Sequence, residues 1–316
     1  MTLVFGLDSG GTKTTLALAD RLGRVLYMDI GPGLSPTQAP DWESRLAQMI
    51  VPLPLPVVAA AVLGLPFHGE VAEHTAAQLV AVDRLFGQRG LVQNDVQTAF
   101  EGAFAGQAGV LILAGTGSMA WAGDGVRQLR VGGWGDLIGD EGSAYWIGAR
   151  AVQYLSQCLD HRRDDPAFAD AMLAALGLTV DRLSDWAYGQ ADRRRETAGL
   201  AKAVTAQALS GNRTAQEITD GAADALALHV TTAWRLLDRA GDPVWSFGGG
   251  VFQADIMLDK VQNRIGTPPL VPRLPPVGGA LLQAARTAGW AVGEDWIDTL
   301  ASSLTSYAAT PSRTYA

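Results

Sequence analysis

One local pattern occurs twice in this chain, and few folds accommodate it. The run Leu3 to Leu7 enters Gly10-Gly11-Thr12; Thr14 to Ala19 follows, then the turn Asp20-Arg21-Leu22-Gly23, then Val25 to Ile30. From residue 110 the order returns: Val110 to Ala114, Gly115-Thr116-Gly117, Met119 to Ala122, the hairpin turn Gly123-Asp124-Gly125, and Gln128 to Val131. Short apolar runs separated by glycine and aspartate turn formers read as strands. A parallel βαβ unit would need a helix after its first strand; both stretches are instead antiparallel meanders. They echo one another in layout, with no repeat of the sequence. At about 150 residues per domain, the 316 residues predict two related halves.

Between and after the meanders the pattern is mixed α/β. Trp42 to Ile50 and Glu70 to Phe86 have helical spacing, Pro52 to Pro56 reads as an extended connector, and Val57 to Leu65 and Gly90 to Gln93 as strands. Such alternation belongs to layered α/β folds. Asn94 reads as a helix cap with Gln97 as its capping-box partner, opening a helix along Val96, Phe100 and Phe104. Ser143 to Leu159 is helical, as is most of 160–240, where Thr214 and Glu217 predict the cap of a long helix. Trp245 to Phe247 and Leu270-Val271 are further strand candidates; Gly278 to Ala288 and the stretch around Trp296, Leu300 and Leu304 read as helices, with a poorly ordered tail after Ser306.

Composition excludes several classes. With 48% hydrophobic and 18% charged residues, the chain is globular rather than disordered. Its net charge of −8 lacks the basic surface that binding to nucleic acid demands. The single cysteine, Cys158, cannot make an internal disulfide, a four-thiolate zinc site or a redox pair, which fits a reducing cytoplasm. Asp8 follows the N-terminal apolar run too soon for a signal peptide. Val51 to Phe67 is too short for a comfortable membrane span and carries Pro52, Pro54, Pro56 and Pro66.

Five segments carry chemistry. In Gly6-Leu7-Asp8-Ser9-Gly10-Gly11-Thr12-Lys13-Thr14 a carboxylate ends a buried strand, and glycines let a following turn approach an anion. Asp8 suits Mg²⁺, directly or through water; a plain hairpin turn is the alternative. A Walker A loop is excluded, because its spacing differs and it leads into a helix. Gly115-Thr116-Gly117-Ser118 reads as a second phosphate-binding hairpin or an ordinary one. With Met119-Ala120 it matches the dinucleotide fingerprint formally, but that fingerprint also needs a helix next. At Asn94-Asp95 a strand meets a helix, and a carboxylate there is held ionised by the helix dipole. It fits a general base for a hydroxyl as well as simple capping. The loop Gly132 to Ser143 gathers Trp134, Asp136, Asp140, Glu141 and several glycines; carboxylates accept from hydroxyls and an indole covers an apolar sugar face. Gly248-Gly249-Gly250 ends a strand and leaves room for a flat ring or a phosphate, or forms a flexible turn. His229 reads as a half-buried structural residue and Arg193-Arg194-Arg195-Glu196 as a solvated helix face.

The order of these motifs resembles the N-acetylglucosamine kinase group of the BadF/BadG/BcrA/BcrD ATPase family, within the superfamily of sugar kinases, heat-shock chaperones and actin. The likeness runs from residue 3 to about 290 and is most specific at Asp8 to Thr14, Gly115 to Ser118 and Gly132 to Trp146. It implies an α/β chain of two ribonuclease-H-like domains flanking a nucleotide and sugar cleft. The boundaries expected here are 1–108, completed by a C-terminal helix at 290–306, and 109–289, with a helical insertion at about 160–240. It further implies ATP and Mg²⁺ as cofactors, a sugar as the other ligand and a homodimer. Asp8 would handle the metal. Gly10, Gly11, Thr12, Lys13 and Gly115, Thr116, Gly117, Ser118 would grip phosphates, and Gly248, Gly249 and Gly250 would lie by the nucleotide. Asp95 would deprotonate the sugar 6-hydroxyl, with Thr116, Gly133, Trp134, Gly135 and Asp140 on the sugar side. Two loops depart from the family: Thr37 stands where an asparagine is common, and Gly64-Leu65-Pro66-Phe67-His68-Gly69 replaces small or hydroxyl residues. The iron–sulfur activator branch needs two cysteines per subunit, which Cys158 alone excludes. A nucleotide-switched binding protein of the same fold is the remaining rival.

Overall fold

Leu3, Phe5 and Leu7 alternate with Val4 and Gly6 along the first strand, so both faces of that strand must be covered. In the computed structural model, which describes residues 2–308, both are. The first unit takes the chain through Gln107 and again from Val271 on; the second is Ala108–Leu270.

The first unit opens with β1 (Leu3–Ser9), β2 (Lys13–Ala19), β3 (Val25–Pro32) and α1 (Trp42–Ile50). It continues with β4 (Val58–Leu65), α2 (Ala72–Phe86), β5 (Gly90–Asn94) and α3 (Asp95–Phe104). The sheet order is β3-β2-β1-β4-β5; β1–β2 and β2–β3 are antiparallel, β1–β4 and β4–β5 parallel. Leu3, Phe5, Leu7, Leu16 and Leu63 pack with Trp42, Leu46 and Ile50 of α1 and Val82 and Phe86 of α2.

The second unit has β6 (Gly109–Ala114), β7 (Ser118–Gly123) and β8 (Gln128–Gly132), then α4 (Ala144–Leu159), α5 (Pro166–Leu176), α6 (Leu183–Gly189), α7 (Arg193–Gly199), α8 (Ala201–Leu209) and the long α9 (Arg213–Leu236). β9 (Trp245–Gly248) and α10 (Asp255–Ile265) complete it. Its sheet order is β8-β7-β6-β9, with β6–β9 parallel and the other pairs antiparallel. This repeats the β3-β2-β1-β4 order of the first unit, so the echo in the sequence is a topological one. Val110, Ile112 and Ala120 pack with Ile147, Ala151 and Leu155 of α4 and Ala222, Leu226 and Val230 of α9.

The chain returns to the first unit in α11 (Pro276–Thr287) and α12 (Glu294–Ala308). There Val277, Ala280, Leu281 and Ala284 cover Val4, Ala17, Ala60 and Val62, with Trp296, Leu300 and Leu304 of α12 beside them. The second unit was expected to run to residue 289. It ends at Leu270 because the apolar face of α11 is what fills the second side of the first sheet. Gly279 lets α11 close on α3, since a Cβ there would meet the Thr98 carbonyl and the Gly102 backbone.

Other differences are local. Leu270-Val271 forms no strand: Leu270 donates to the Trp245 carbonyl at 2.7 Å, and the Ser246 hydroxyl donates to the Leu270 carbonyl at 2.8 Å. The cap of α9 is Asn212, whose Oδ1 accepts from Ala215 N at 2.9 Å; Thr214 lies inside the helix, buried. Pro56 sits in a single 3₁₀ turn, Leu55–Val57, rather than in an extended connector. Tyr307 and Ala308 belong to α12; the rest of the expected disordered tail, 309–316, lies outside the described residues.

Candidate active site

In the first unit the candidate residues Asp8 and Asp95 stand at the ends of β1 and β5. Asp8 is paired across the sheet with Gly64 of β4, and Gly64 with Gln93 of β5. Gly64 is the gap that matters: a Cβ there would run into the Thr98 side chain. Its absence lets the Thr98 hydroxyl lie 3.0 Å from Asp8 Oδ1 and 2.8 Å from the Asp95 carbonyl. A hydroxyl has one proton, so Thr98 donates to one acceptor at a time and sits between the strand carboxylate and the start of α3.

Asp95 opens α3, and its Oδ1 accepts from Val96 N at 2.9 Å. Asn94 caps the same N–H through Oδ1, while its Nδ2 donates to the His68 carbonyl and to Glu70 Oε1, both at 2.9 Å. This places Glu70, on the loop before α2, near the base candidate. Burial pushes the Asp95 carboxyl up to about 7, with the charges of Asp8 and Glu70 adding to it, which overturns the expectation that the helix dipole holds it ionised. Burial also lifts Asp8 to about 6, against the Thr98 hydrogen bond and the nearby Lys13 ammonium. Carboxyls raised by burial and by a neighbouring charge are candidates for proton chemistry.

The Gly10–Lys13 turn stands beside them. Gly11, Thr12 and Lys13 are exposed and Gly10 half-buried. The turn is braced from below: Ser9 Oγ and Thr14 Oγ1 are 2.7 Å apart, Thr14 donates to the Pro32 carbonyl, and Leu34 N donates to Ser9 Oγ. Gly33 N donates to the Thr12 carbonyl at 3.2 Å, which ties down the loop carrying Thr37. Thr37 is exposed, with its Oγ1 3.0 Å from Ser35 Oγ.

In the second unit the Gly115–Ser118 turn is fixed against α4. Ala144 N and Tyr145 N donate to the carbonyls of Gly115 and Thr116 at 2.8 and 3.3 Å. Ser118 Oγ donates to the Glu141 carbonyl at 2.7 Å, and Ser143 caps α4 by accepting from Trp146 N at 3.1 Å. Thr116 itself is exposed. Gly249, with φ of 99°, lies against the end of β6, where a side chain would strike the backbone of Ala114. The glycine triad is thereby adjacent to the Gly115–Ser118 turn.

A profile of the BadF/BadG/BcrA/BcrD ATPase family matches residues 5–284. The chain belongs to that family. The N-acetylmuramic acid/N-acetylglucosamine kinase of Clostridium acetobutylicum is 27% identical over 275 residues, which span 83% of this chain and 90% of that protein. The N-acetyl-D-glucosamine kinase of Dictyostelium discoideum is 25% identical over 287 residues, with 83% and 90% spanned. Among solved structures, that of a candidate N-acetylglucosamine kinase from Chromobacterium violaceum superposes with a TM-score of 0.73 at 26% identity, covering 90% of this chain and 99% of that one. The two units are accordingly the ribonuclease-H-like halves of an actin-like ATPase fold.

In this family member the loop after β8 is built from left-handed glycines: Gly132, Gly133, Gly135 and Gly142 all have positive φ. Trp134 is 66% exposed, with the Arg130 guanidinium 5.3 Å from its ring centre. Asp140 is the opposite, 3% exposed and itself at φ of 55°. Its Oδ2 lies 2.5 Å from Arg194 Nη2. Burial raises the Asp140 carboxyl; Arg194 and backbone N–H groups pull the other way. Arg193, Arg195 and Glu196 are exposed, as expected of a solvated face on α7; Arg194, with 39% of its side chain exposed, departs from it by pairing with Asp140. His229, expected to be half-buried, is almost fully buried against Gly132, and burial lowers its pKa.

Thr98, Gly64 and Arg194 were missed in the sequence. Thr98 had a usable signal, because it follows Asp95 by one helical turn and shares its face. Arg194 had none: it lies 54 positions from Asp140.

Proposed function

We propose that this chain is an ATP-dependent kinase that phosphorylates an amino sugar, N-acetylglucosamine or glucosamine, at the 6-hydroxyl. The observation that carries this reading is the meeting of Asp8 and the start of α3 at Thr98. It sets a strand-end carboxylate and a helix-start carboxylate beside an exposed glycine turn. The named kinases among its relatives support the same reaction class.

In-line phosphoryl transfer needs the phosphates positioned, their charge neutralised and the nucleophile oriented. The turns Gly10–Lys13 and Gly115–Ser118, braced from behind, present backbone and hydroxyl groups for the phosphates, with Gly248–Gly250 beside the nucleotide. Asp95 accepts the proton of the sugar hydroxyl. A carboxylate lifted to about 7 is matched to that task near neutral pH. The donor set also fits Mg²⁺ brought in with the nucleotide. That ion takes one or two carboxylates and fills its shell with phosphate oxygens and water. Asp8 offers such a carboxylate, and a cation beside it offsets the burial that raises it. Magnesium held by Asp8 would supply charge neutralisation for the phosphates.

On the sugar side we assign Thr37, Thr116, Gly133, Trp134, Gly135 and Asp140. The loop Pro66–Gly69 is held rigidly: Gln78 Nε2 donates to the Pro66 carbonyl at 2.8 Å, and its Oε1 is 3.0 Å from His68 Nδ1. Phe67, at φ of 64°, therefore keeps its bulk in place. Threonine at 37 offers one hydroxyl where asparagine offers a donor and an acceptor. Weak discrimination for the acetamido group follows.

The test is ATP-dependent sugar phosphate formation across glucosamine, N-acetylglucosamine, N-acetylmuramic acid and glucose. The expected result is turnover of amino sugars, with kcat/KM for N-acetylglucosamine and glucosamine well within about 10³-fold of each other, since each lost hydrogen bond is worth roughly fivefold. ATP hydrolysis equally fast without any sugar, and no sugar phosphate, would replace this reading with that of a nucleotide-switched binding protein.

A further inference from the structure

Among the carboxylates of the Gly132–Ser143 loop, Asp140 stands out as deeply buried, in a left-handed conformation that aspartate adopts only when its surroundings impose it. A buried carboxylate is costly unless paired and hydrogen-bonded. The cation that meets it comes from a distant segment: Arg194, on the short helix α7. The pair lies across the Gly115–Ser118 turn. A Cβ on Gly117 would sit 2.5 Å from Arg194 Nη2 and 2.6 Å from Asp140 Oδ2. Arg194 Nε is buried, makes no hydrogen bond among the described residues, and lies 4.0 Å from Asp136 Oδ1. Arg193 Nη2 is 3.9 Å from the other Asp136 oxygen.

The guanidinium of Arg194 thus faces two carboxylates. A phosphate arriving there would meet a charge already compensated. A neutral polyol would meet a carboxylate fixed in position by Arg194 and by backbone N–H groups, a group that accepts from hydroxyl donors.

We propose that Arg194 is a positioning residue for the acceptor sugar: it holds the Asp140 carboxylate aimed beside the Gly117 turn, so that α7, a helix of the inserted segment, sets sugar affinity without touching the chemical step. This rests on the reading of Asp140 as a sugar ligand.

The experiment uses the full chain and four variants: Arg194→Met, Arg194→Lys, Asp140→Asn, and Arg194→Met combined with Asp140→Asn. Measured are KM for the sugar, kcat, Mg-ADP affinity by calorimetry, and Tm. Arg194→Met should raise the sugar KM roughly tenfold, the scale of one hydrogen bond to a charged group. It should leave kcat within about threefold and Mg-ADP affinity unchanged. Arg194→Lys should recover part of the loss, because an ammonium supplies charge without the planar fork. The double variant should be no worse than Asp140→Asn alone, as expected of groups acting as a unit. If Arg194→Met does not fold, Arg194→Lys carries the test through a raised sugar KM at normal Tm. A changed Tm with an intact sugar KM would make the pair structural and overturn the proposal. Loss of kcat or of nucleotide affinity at constant sugar KM would place Arg194 on the phosphates and overturn it too. Asp140→Asn with an unchanged sugar KM defeats the sugar role of Asp140 and this proposal with it. A raised KM for Asp140→Asn but not for Arg194→Met defeats the positioning role alone.

Discussion

The two units place a glycine–threonine turn after the first strand of the same four-strand arrangement, yet they give the neighbouring carboxylates different partners. Beside Gly10–Lys13, Asp8 is lifted by burial, and Asp95 by burial and by the charges of Asp8 and Glu70, with the Thr98 hydroxyl between Asp8 and the start of α3. Beside Gly115–Ser118, burial raises the Asp140 carboxyl too, but an arginine faces it and pulls the other way. A carboxylate that takes up a proton must be near neutrality on its own; one that only accepts from hydroxyls must stay charged and still. One scaffold supports either use, and the difference lies in what the following helices deliver: a threonine from α3 in the first unit, an arginine from α7 in the second.

Asp95→Asn should produce the largest effect. Turnover should fall by at least roughly 10²-fold, the scale of a general base, with Mg-ADP affinity near normal. The fold should gain where catalysis loses. A carboxyl raised to about 7 in the folded protein, against about 3.9 unfolded, favours folding while protonated, below the unfolded value. That contribution is lost as pH rises through about 7. In metal-free buffer above that pH, Tm of the asparagine variant should equal or exceed that of the wild type. Turnover within about threefold of wild type would remove the contrast between the units.

Two glycines, one beside each group of carboxylates, make a matched pair. Gly64→Ala drives a methyl into Thr98, a stiff β-branched residue. It should displace the start of α3 and lower kcat by roughly tenfold or more, since misplacing reacting groups by about 1 Å can cost up to 10²-fold. Gly117→Ala meets the Arg194 guanidinium and the Asp140 carboxylate and displaces that pair from its place beside the turn. It should raise the sugar KM and leave kcat near normal. Steady-state kinetics on both variants decides; equal kcat losses would mean that the second turn serves the chemical step as directly as the first.

Thr116→Val should give the smallest change. The hydroxyl is exposed and contributes one neutral hydrogen bond, about 0.5–1.5 kcal/mol. Calorimetry with Mg-ADP, with and without sugar, shows which ligand it serves, and unchanged affinity for both would remove Thr116 from the site.

Much of this was legible beforehand. The meander echo became the shared strand order, since alternating apolar runs cut by glycine leave few pairings. Asp8, Asp95 and the two turns stood out because strand ends and helix starts are marked by local signals, and the structure sets them at those ends. The boundary at 289 failed because the apolar face of α11 is equally compatible with either sheet. Nothing local says which sheet it covers.

By itself, the sequence determined what short-range physics determines: strand alternation, turn chemistry, the start of α3, and the carboxylates and glycines at those junctions. The tertiary structure alone decided the contacts between segments far apart in the chain. Gly64 admits Thr98 to Asp8, α11 fills the first sheet, and Arg194 reaches Asp140 across 54 positions. Such contacts depend on which surfaces are buried together, and burial is a property of the packed whole. A solvent-facing arginine run and an inward one carry the same letters, and only the buried carboxylate of Asp140 gives Arg194 a reason to turn in.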